Sequence, residues 1–413
     1  MIKKAIIEEV TVIVGEGLDV LKRAFVWMDR GHFEYVGEKN PHPQECVRYR
    51  GRGLLMIPGL INAHTHIGDS FAKDLWIGRS LNELFRPITG LKHKLLNSVP
   101  KGSMIKFMRN SISDMIRCGT TTFADFREGG RKGAMLLRKA MAGMKIRAIV
   151  LGRPDYYFGE EEVIKNDGMP EEKIAEAEEV LGVCDGIGLS GPNEYTDRAM
   201  RELSELVKRR GKMCAIHAGE DSHSVDFSLR NFDRSEVERA LENLEPDFIV
   251  HMTQATDEDL GLASKAGTPV VCCPRANSVM GSGLPPMAKM ARDGMTVALG
   301  TDNVMLNSTD LFREMEYTSR MIRALERDSS AVSSKDIMKM VTINSARALK
   351  LDKEIGSIEE GKRADVVFID MNTKNLDPIK DPLNAIVHRA RPDDIRAVII
   401  GGEIVYGSIP RLA

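Results

Sequence analysis

Pro58-Gly59-Leu60-Ile61-Asn62-Ala63-His64-Thr65-His66 opens on a turn pair, runs apolar, and ends in two histidines one residue apart. In a β-strand, residues i and i+2 project to the same side. Two imidazoles leaving one strand end together can therefore grip a single cation. The pair gains its meaning from polar residues at matching places further along the chain.

From about residue 57, short apolar strand candidates alternate with helical stretches. After the run ending at His66 come Thr121–Phe126, Ile146–Leu151, Gly186–Ser190, Met213–His217, Asp247–His251, Pro269–Cys273 and Met295–Asp302, making eight. Between them lie amphipathic segments such as Asp197–Arg210 and the acidic stretch Glu171–Leu181, which follows Pro170 as helices often do. Strand–helix alternation predicts a parallel sheet, and eight units predict closure into a (β/α)8 TIM barrel over residues 57–356. A doubly wound open sheet is the rival architecture, but no glycine-rich phosphate loop follows the first strand.

The two ends read differently. Residues 1–56 hold β-like runs punctuated by glycine, and residues 357–413 return to short strands, including Ala397–Ile400 and Glu403–Tyr406 around Gly401-Gly402, a hairpin by its turn chemistry. Neither end has enough strands for its own core, so the two are expected to pair into one small β-sandwich domain beside the barrel. The longest connection, about 67–119, is expected to cover the strand-end face.

Composition narrows the function classes. With 58 Lys and Arg against 60 Asp and Glu in 413 residues, there is no basic footprint for nucleic acid and no polybasic membrane patch. The opening Met1–Ile7 soon meets Glu8 and Glu9, so no signal-peptide core is expected, and no stretch nears 18 uncharged apolar residues. Six scattered cysteines, mostly inside apolar runs, fit reduced side chains in a cytoplasmic protein.

The polar residues at the strand ends make the chemistry. His64 and His66 end the first candidate, His217 the fifth, His251 the sixth and Asp302 the eighth. In a closed barrel these ends open on one face, where active sites of this fold lie. Three imidazoles and a carboxylate (His64, His66, His217, Asp302) suit Zn, with Fe, Mn, Co or Ni as alternatives. Such an ion lowers the pKa of its water to about 7. Glu220, three residues past His217, is placed to carry a proton from water to a leaving group without ligating. His251 is assigned to hydrogen-bonding the attacking hydroxide or the substrate. The fourth candidate ends in Ser190-Gly191-Pro192-Asn193-Glu194 without the lysine that bridges two ions in dinuclear barrels, so one metal ion is expected. Glu194 is left either as a bridge to a second ion or as a substrate contact.

These residues resemble the amidohydrolase superfamily, and within it the cytosine-deaminase-like group of S-adenosylhomocysteine/5′-methylthioadenosine deaminases, guanine deaminases and triazine hydrolases. The motifs run through nearly the whole chain: Pro58–His66, Gly119-Thr120-Thr121-Thr122, His217-Ala218-Gly219-Glu220, Pro274-Arg275-Ala276-Asn277, Gly300-Thr301-Asp302 and Asn344–Leu349, with Gly356–Asp365 and Asp381–Ala385 behind them. The resemblance implies ligation by His64, His66, His217 and Asp302, a proton-shuttling Glu220, and management of the hydroxide by His251 and Asp302. It implies a hydrolase of carbon–nitrogen bonds that deaminates an amino-substituted nitrogen heterocycle, a small molecule, and a homo-oligomer such as a dimer. Alternatives with the same site are cyclic-amide opening and triazine-type dechlorination; a scaffold without catalysis would need lost ligands, and every ligand position is filled. Adenosine-type members usually carry a histidine where this chain has Asn193-Glu194, which puts adenosyl substrates in doubt. Trp76 reads as a stacking residue or a packed loop tryptophan. Arg127 and Arg153 read as substrate-anion contacts or as partners of Glu128 and Asp155.

Overall fold

The computed structural model describes residues 4–86, 89–154 and 157–412; Asp155 lies outside them. Eight parallel strands form the barrel, here numbered β1 (Leu60–His66), β2 (Thr120–Arg127), β3 (Arg147–Gly152), β4 (Gly186–Leu189), β5 (Met213–Ala218), β6 (Phe248–His251), β7 (Val270–Cys272) and β8 (Val297–Leu299, resumed as Asp302–Asn303). Each is hydrogen-bonded to the next in chain order, from β1 through β7 to the first part of β8. β1 and β2 are buried at every position, as strands covered on both faces must be.

The interruption of β8 closes the barrel. Its first part pairs with β7, with Val270 opposite Val297, and its second part pairs with β1, with Asp302 opposite Thr65 and Asn303 opposite His66. At the step between them, Gly300 N–H donates to Cys272 O (3.0 Å) and Thr301 N–H to His64 O (3.1 Å). Asn62 clamps the step from both sides, donating from Nδ2 to Thr301 Oγ1 (2.8 Å) and accepting from Thr301 N–H at Oδ1 (3.1 Å).

The chain ends build the second domain as expected, as one eight-stranded sheet. The order is Glu403–Gly407, Ile395–Ile400, Val366–Asp370, Leu54–Pro58, Lys4–Val14, Asp19–Asp29, His32–Gly37, with Val47–Arg50 also beside Lys4–Val14. Lys4–Val14 carries register shifts between Ile7, Val10 and Val12, so its first half pairs with Val47–Arg50 and its second with Leu54–Pro58. Such bulges bend a strand and let a sheet fold on itself. Strand alternation then divides the labour. Val366 and Phe368 join Ile7, Val10 and Met56 in the domain's own core, while Val367 and Ile369 face the larger cluster shared with the barrel helices. The Gly401-Gly402 turn has φ of 55° and 75°, the left-handed pair of a two-residue hairpin. The chain crosses from this sheet into the barrel at Gly59.

The long connection after β1 is helical, with Leu81–Phe85, Leu91–Ser98 and Lys101–Arg117. Among the described residues, no helix is long and apolar enough to cross a membrane.

A side chain at Gly300 has no room: a Cβ there would lie 2.6 Å from His64 Cβ and 2.8 Å from His64 O. Gly300→Ala is expected to destabilise the fold by about 1–3 kcal/mol and to displace β8 from β1. Thermal melting together with bound-metal content checks this, with both falling in the variant.

Candidate metal centre and its cavity

Three imidazoles meet at the C-terminal mouth of the barrel. His217 Nε2 stands 3.3 Å from both His64 Nε2 and His66 Nε2. Asp302 Oδ1 lies 3.3 Å from His64 Nε2 and 3.6 Å from His66 Nε2. The strand alternation read from the sequence does place His64 and His66 together, with ring centroids 4.8 Å apart. Phe126 forms the floor, its ring 4.5 Å from that of His64 and 4.8 Å from that of His217.

The tautomers are set from behind. His217 Nδ1–H donates to Leu189 O (2.8 Å), and His66 Nδ1–H lies against Phe126 O (3.1 Å) and Glu128 Oε1 (3.0 Å). These two rings thus keep their lone pairs on Nε2, and the two nitrogens point at one another. Burial holds all three histidines below the usual imidazole pKa, His66 down to about 3 with Lys92 adding to the effect, so none carries a charge. Burial opposes ionisation of Asp302, yet the His64 hydrogen bond and the neighbouring imidazoles hold it well below the usual carboxylate range. His66 and His217 turn neutral nitrogens inward beside an ionised carboxylate, and His64 Nδ1 is buried with no partner among the described residues. The set fits a divalent metal ion.

Glu220 and His251 form the adjoining wall. His251 Nδ1 accepts from Asn277 Nδ2 (3.1 Å), which leaves the Nε2 proton directed at Glu220 Oε2, 3.5 Å away. Burial pushes the Glu220 carboxyl up to about 7, His251 draws it down and Asp302 raises it. His251 (φ 79°) and Asp302 (φ 60°) both sit in the left-handed region, which non-glycine residues rarely adopt. A second donor grouping of His64, His251 and Asp302 lies within 4.8 Å.

Above the cluster opens a cavity of about 530 Å3, within the range of small-molecule sites. The helical connection after β1 supplies its roof through Leu81, Phe85, Lys92 and His93. Glu194 and Arg153 are on its wall. Three other expected contacts are placed differently. The Asn193 amide faces the cavity edge but is committed elsewhere, donating to Ser224 O (2.8 Å) and Glu236 Oε1 (2.9 Å) and accepting from Arg239 (2.9 Å). Arg127 is buried behind the wall, its guanidinium on Glu128 (2.5 Å) and near Asp125 (3.7 Å), so the pairing reading holds for it. Trp76 is half-buried against a cluster containing Ala72, Leu84 and Met305 and does not line the cavity.

Sequence reasoning missed the groups that support the ligands. Glu128 receives His66 on one oxygen together with Lys92 Nζ (2.6 Å), and Arg127 on the other. Burial opposes its charge, but Lys92, Arg127 and His66 hold it well below the usual range. Lys92 also donates to Asn303 Oδ1 (2.6 Å). Nothing in the local pattern marked Lys92; Asn277 was marked, within Pro274–Asn277, but without a role.

The chain matches the model of the amidohydrolase family over residues 55–405. It is 36% identical over 400 residues to a Methanothermobacter thermautotrophicus protein named an aminohydrolase, covering 97% of this chain and 98% of that one. It is 30% identical over 413 residues to the 5-methylthioadenosine/S-adenosylhomocysteine deaminase of Caldanaerobacter subterraneus subsp. tengcongensis, covering 97% and 92%. Its fold is similar to that of a zinc-bound adenosine deaminase from Xanthomonas campestris, with a TM-score of 0.85 at 22% identity, covering 97% of this chain and 92% of that one. The inward-facing donors, the Glu220–His251 wall and the family match agree: this chain belongs to the amidohydrolase family.

Proposed function

We propose that this protein is a hydrolytic deaminase of an amino-substituted nitrogen heterocycle, a purine or pyrimidine derivative, working with one zinc ion held by His64, His66, His217 and Asp302. The observation that carries the reading is the placement of Glu220: part-buried at the cavity wall, next to the ligand cluster but outside it, with a carboxyl whose affinity for protons is balanced near neutrality. The deaminase name of the bacterial relative supports it. When bound, a divalent ion makes water nucleophilic near neutral pH.

The chain's own groups do the rest. Glu220 takes a proton from the attacking water and passes it to the ring nitrogen beside the carbon under attack. His251, held by Asn277, offers its Nε2 proton toward Glu220 and the attacking oxygen, fixing where both stand. The remaining proton of that water reaches the amino nitrogen as the C–N bond breaks, so water and the aminated ring become the oxo ring and ammonia. Six unpaired cysteines fit a reducing cytoplasm.

Metal-loaded protein offered a panel of amino-purines and amino-pyrimidines is expected to release ammonia, and chelation is expected to abolish the release until zinc is restored. Product formed without ammonia would sink the deaminase reading in favour of another hydrolysis. Glu220→Gln is expected to retain its metal in elemental analysis while kcat/KM falls by about 10²- to 10⁴-fold. Glu128 acts through His66 as a positioning residue. Glu128→Gln is expected to weaken metal affinity by about 10- to 100-fold in a chelator competition, with zinc at saturation recovering much of the lost rate.

A further inference from the structure

The cavity holds two polar groups that the reaction does not use. Glu194 Oε2 and Ser190 Oγ are buried and have no hydrogen-bond partner among the described residues. Both line the cavity, on the segment that leaves β4 beside the Glu220 wall. An unpaired buried polar atom costs about 1–3 kcal/mol, and a segment with slack would turn it to solvent.

This segment has no slack. The single helical turn Pro192–Glu194 is tied down from below: Arg239 donates to Pro192 O (3.0 Å) and Asn193 Oδ1 (2.9 Å), and Asn193 donates to Glu236 Oε1 (2.9 Å). Arg239 is itself fixed, donating to Asp197 (2.9 Å) with its guanidinium 3.7 Å from the Phe232 ring centre. Phe158 N–H holds the backbone oxygen of Glu194 (3.1 Å). A rigid scaffold thus holds a carboxyl and a hydroxyl, each with an atom lacking a partner, in the wall of the space a substrate occupies. Pre-organised groups of this kind are what a ligand with complementary hydrogen bonds completes.

We propose that Glu194, with Ser190 beside it, reads a second amino group on the substrate ring, one that sits next to a ring nitrogen and is distinct from the amino group that leaves. A carboxyl and such an amidine-like edge form a closed pair of hydrogen bonds in either state of the acid. Protonated, the carboxyl gives one bond to the ring nitrogen and accepts one from the amino group; ionised, it accepts from two N–H groups. Burial pushes the carboxyl up to about 8, Arg153 lowers it and Glu220 and Asp221 raise it, so the protonated form is available at neutral pH. The substrate class is then a diamino-substituted heterocycle, in preference to a ring with a bare C–H at that edge.

This inference rests on the deaminase reading, and equilibrium binding separates the two. The probes are 2,6-diaminopurine and adenine, which differ by one amino group, titrated calorimetrically into zinc-loaded Glu220→Gln protein so that turnover does not interfere. The expected result is at least about tenfold tighter binding of 2,6-diaminopurine, one hydrogen-bonded pair's worth. A second substitution, Glu194→Leu, is expected to erase the preference. Glu194→Gln, whose amide also offers one donor and one acceptor, is expected to keep most of it, and its melting curve controls for folding. Equal affinities, no binding of either purine, or a preference that survives Glu194→Leu each overturn the proposal. Ammonia release by the wild-type protein is measured alongside: its absence together with an intact binding preference counts against the deaminase reading alone.

Discussion

His217 Nε2 stands 3.3 Å from the Nε2 atoms of both His64 and His66, a crowding of uncharged imidazole nitrogens that the surrounding architecture holds in place. Backbone does much of the holding. Leu189 O at the end of β4 fixes His217, and Phe126 O near the end of β2 fixes His66. Carbonyls of a closed barrel cannot rotate away without breaking the ladder to the next strand, so the rings keep one tautomer and one direction. The carboxylate arrives from β8 by way of the Gly300 step, where Thr301 hangs on His64 O and Asn62. The bond that closes the barrel and the one that delivers Asp302 are one and the same.

Conformational strain follows the same geography. His251, Met252 and Asp302 adopt φ of 79°, 49° and 60°, a departure that costs on the order of 1–3 kcal/mol per residue. The left-handed turn at each strand end leaves His251 against Glu220 and Asp302 against the imidazoles. Pairing with one neighbouring strand, His251 beside Ala218 and Asp302 beside Thr65, holds these residues where their own preferences would not.

What could be read from the sequence was whatever strand periodicity and strand ends determine. The i, i+2 placement of His64 and His66, the in-phase positions of His217, His251 and Asp302, and the Gly401-Gly402 hairpin are all local patterns with a single geometric consequence. The small domain was legible as to partners but not as to pairing order, because the register shifts in Lys4–Val14 that let it pair first with Val47–Arg50 and then with Leu54–Pro58 leave no mark in its apolar run. Side chains whose fate is set by distant partners were harder. Asn193 looks like a substrate contact until Arg239 and Glu236, more than forty residues later, claim its amide. Glu128 looks like a neighbour for Arg127 and turns out to orient His66 as well.

Lys92 ties these observations together. It is the buried cation that the helix Leu91–Ser98 brings down from the roof, and it lands on Glu128 at 2.6 Å and on Asn303 at 2.6 Å. Glu128 is held ionised in a buried site by Lys92, Arg127 and His66 together, and losing one partner of such a buried pair typically costs about 3–5 kcal/mol. Roof and metal ligands therefore share a carboxylate. Lifting the helix would strip Glu128 of its shortest contact with a lysine and leave Asn303, next to Asp302, without its donor. The segment that covers the cavity is thus held down by the charges that set the ligands, and the separation of 36 positions between Lys92 and Glu128 shows why neither role could be read from either position alone.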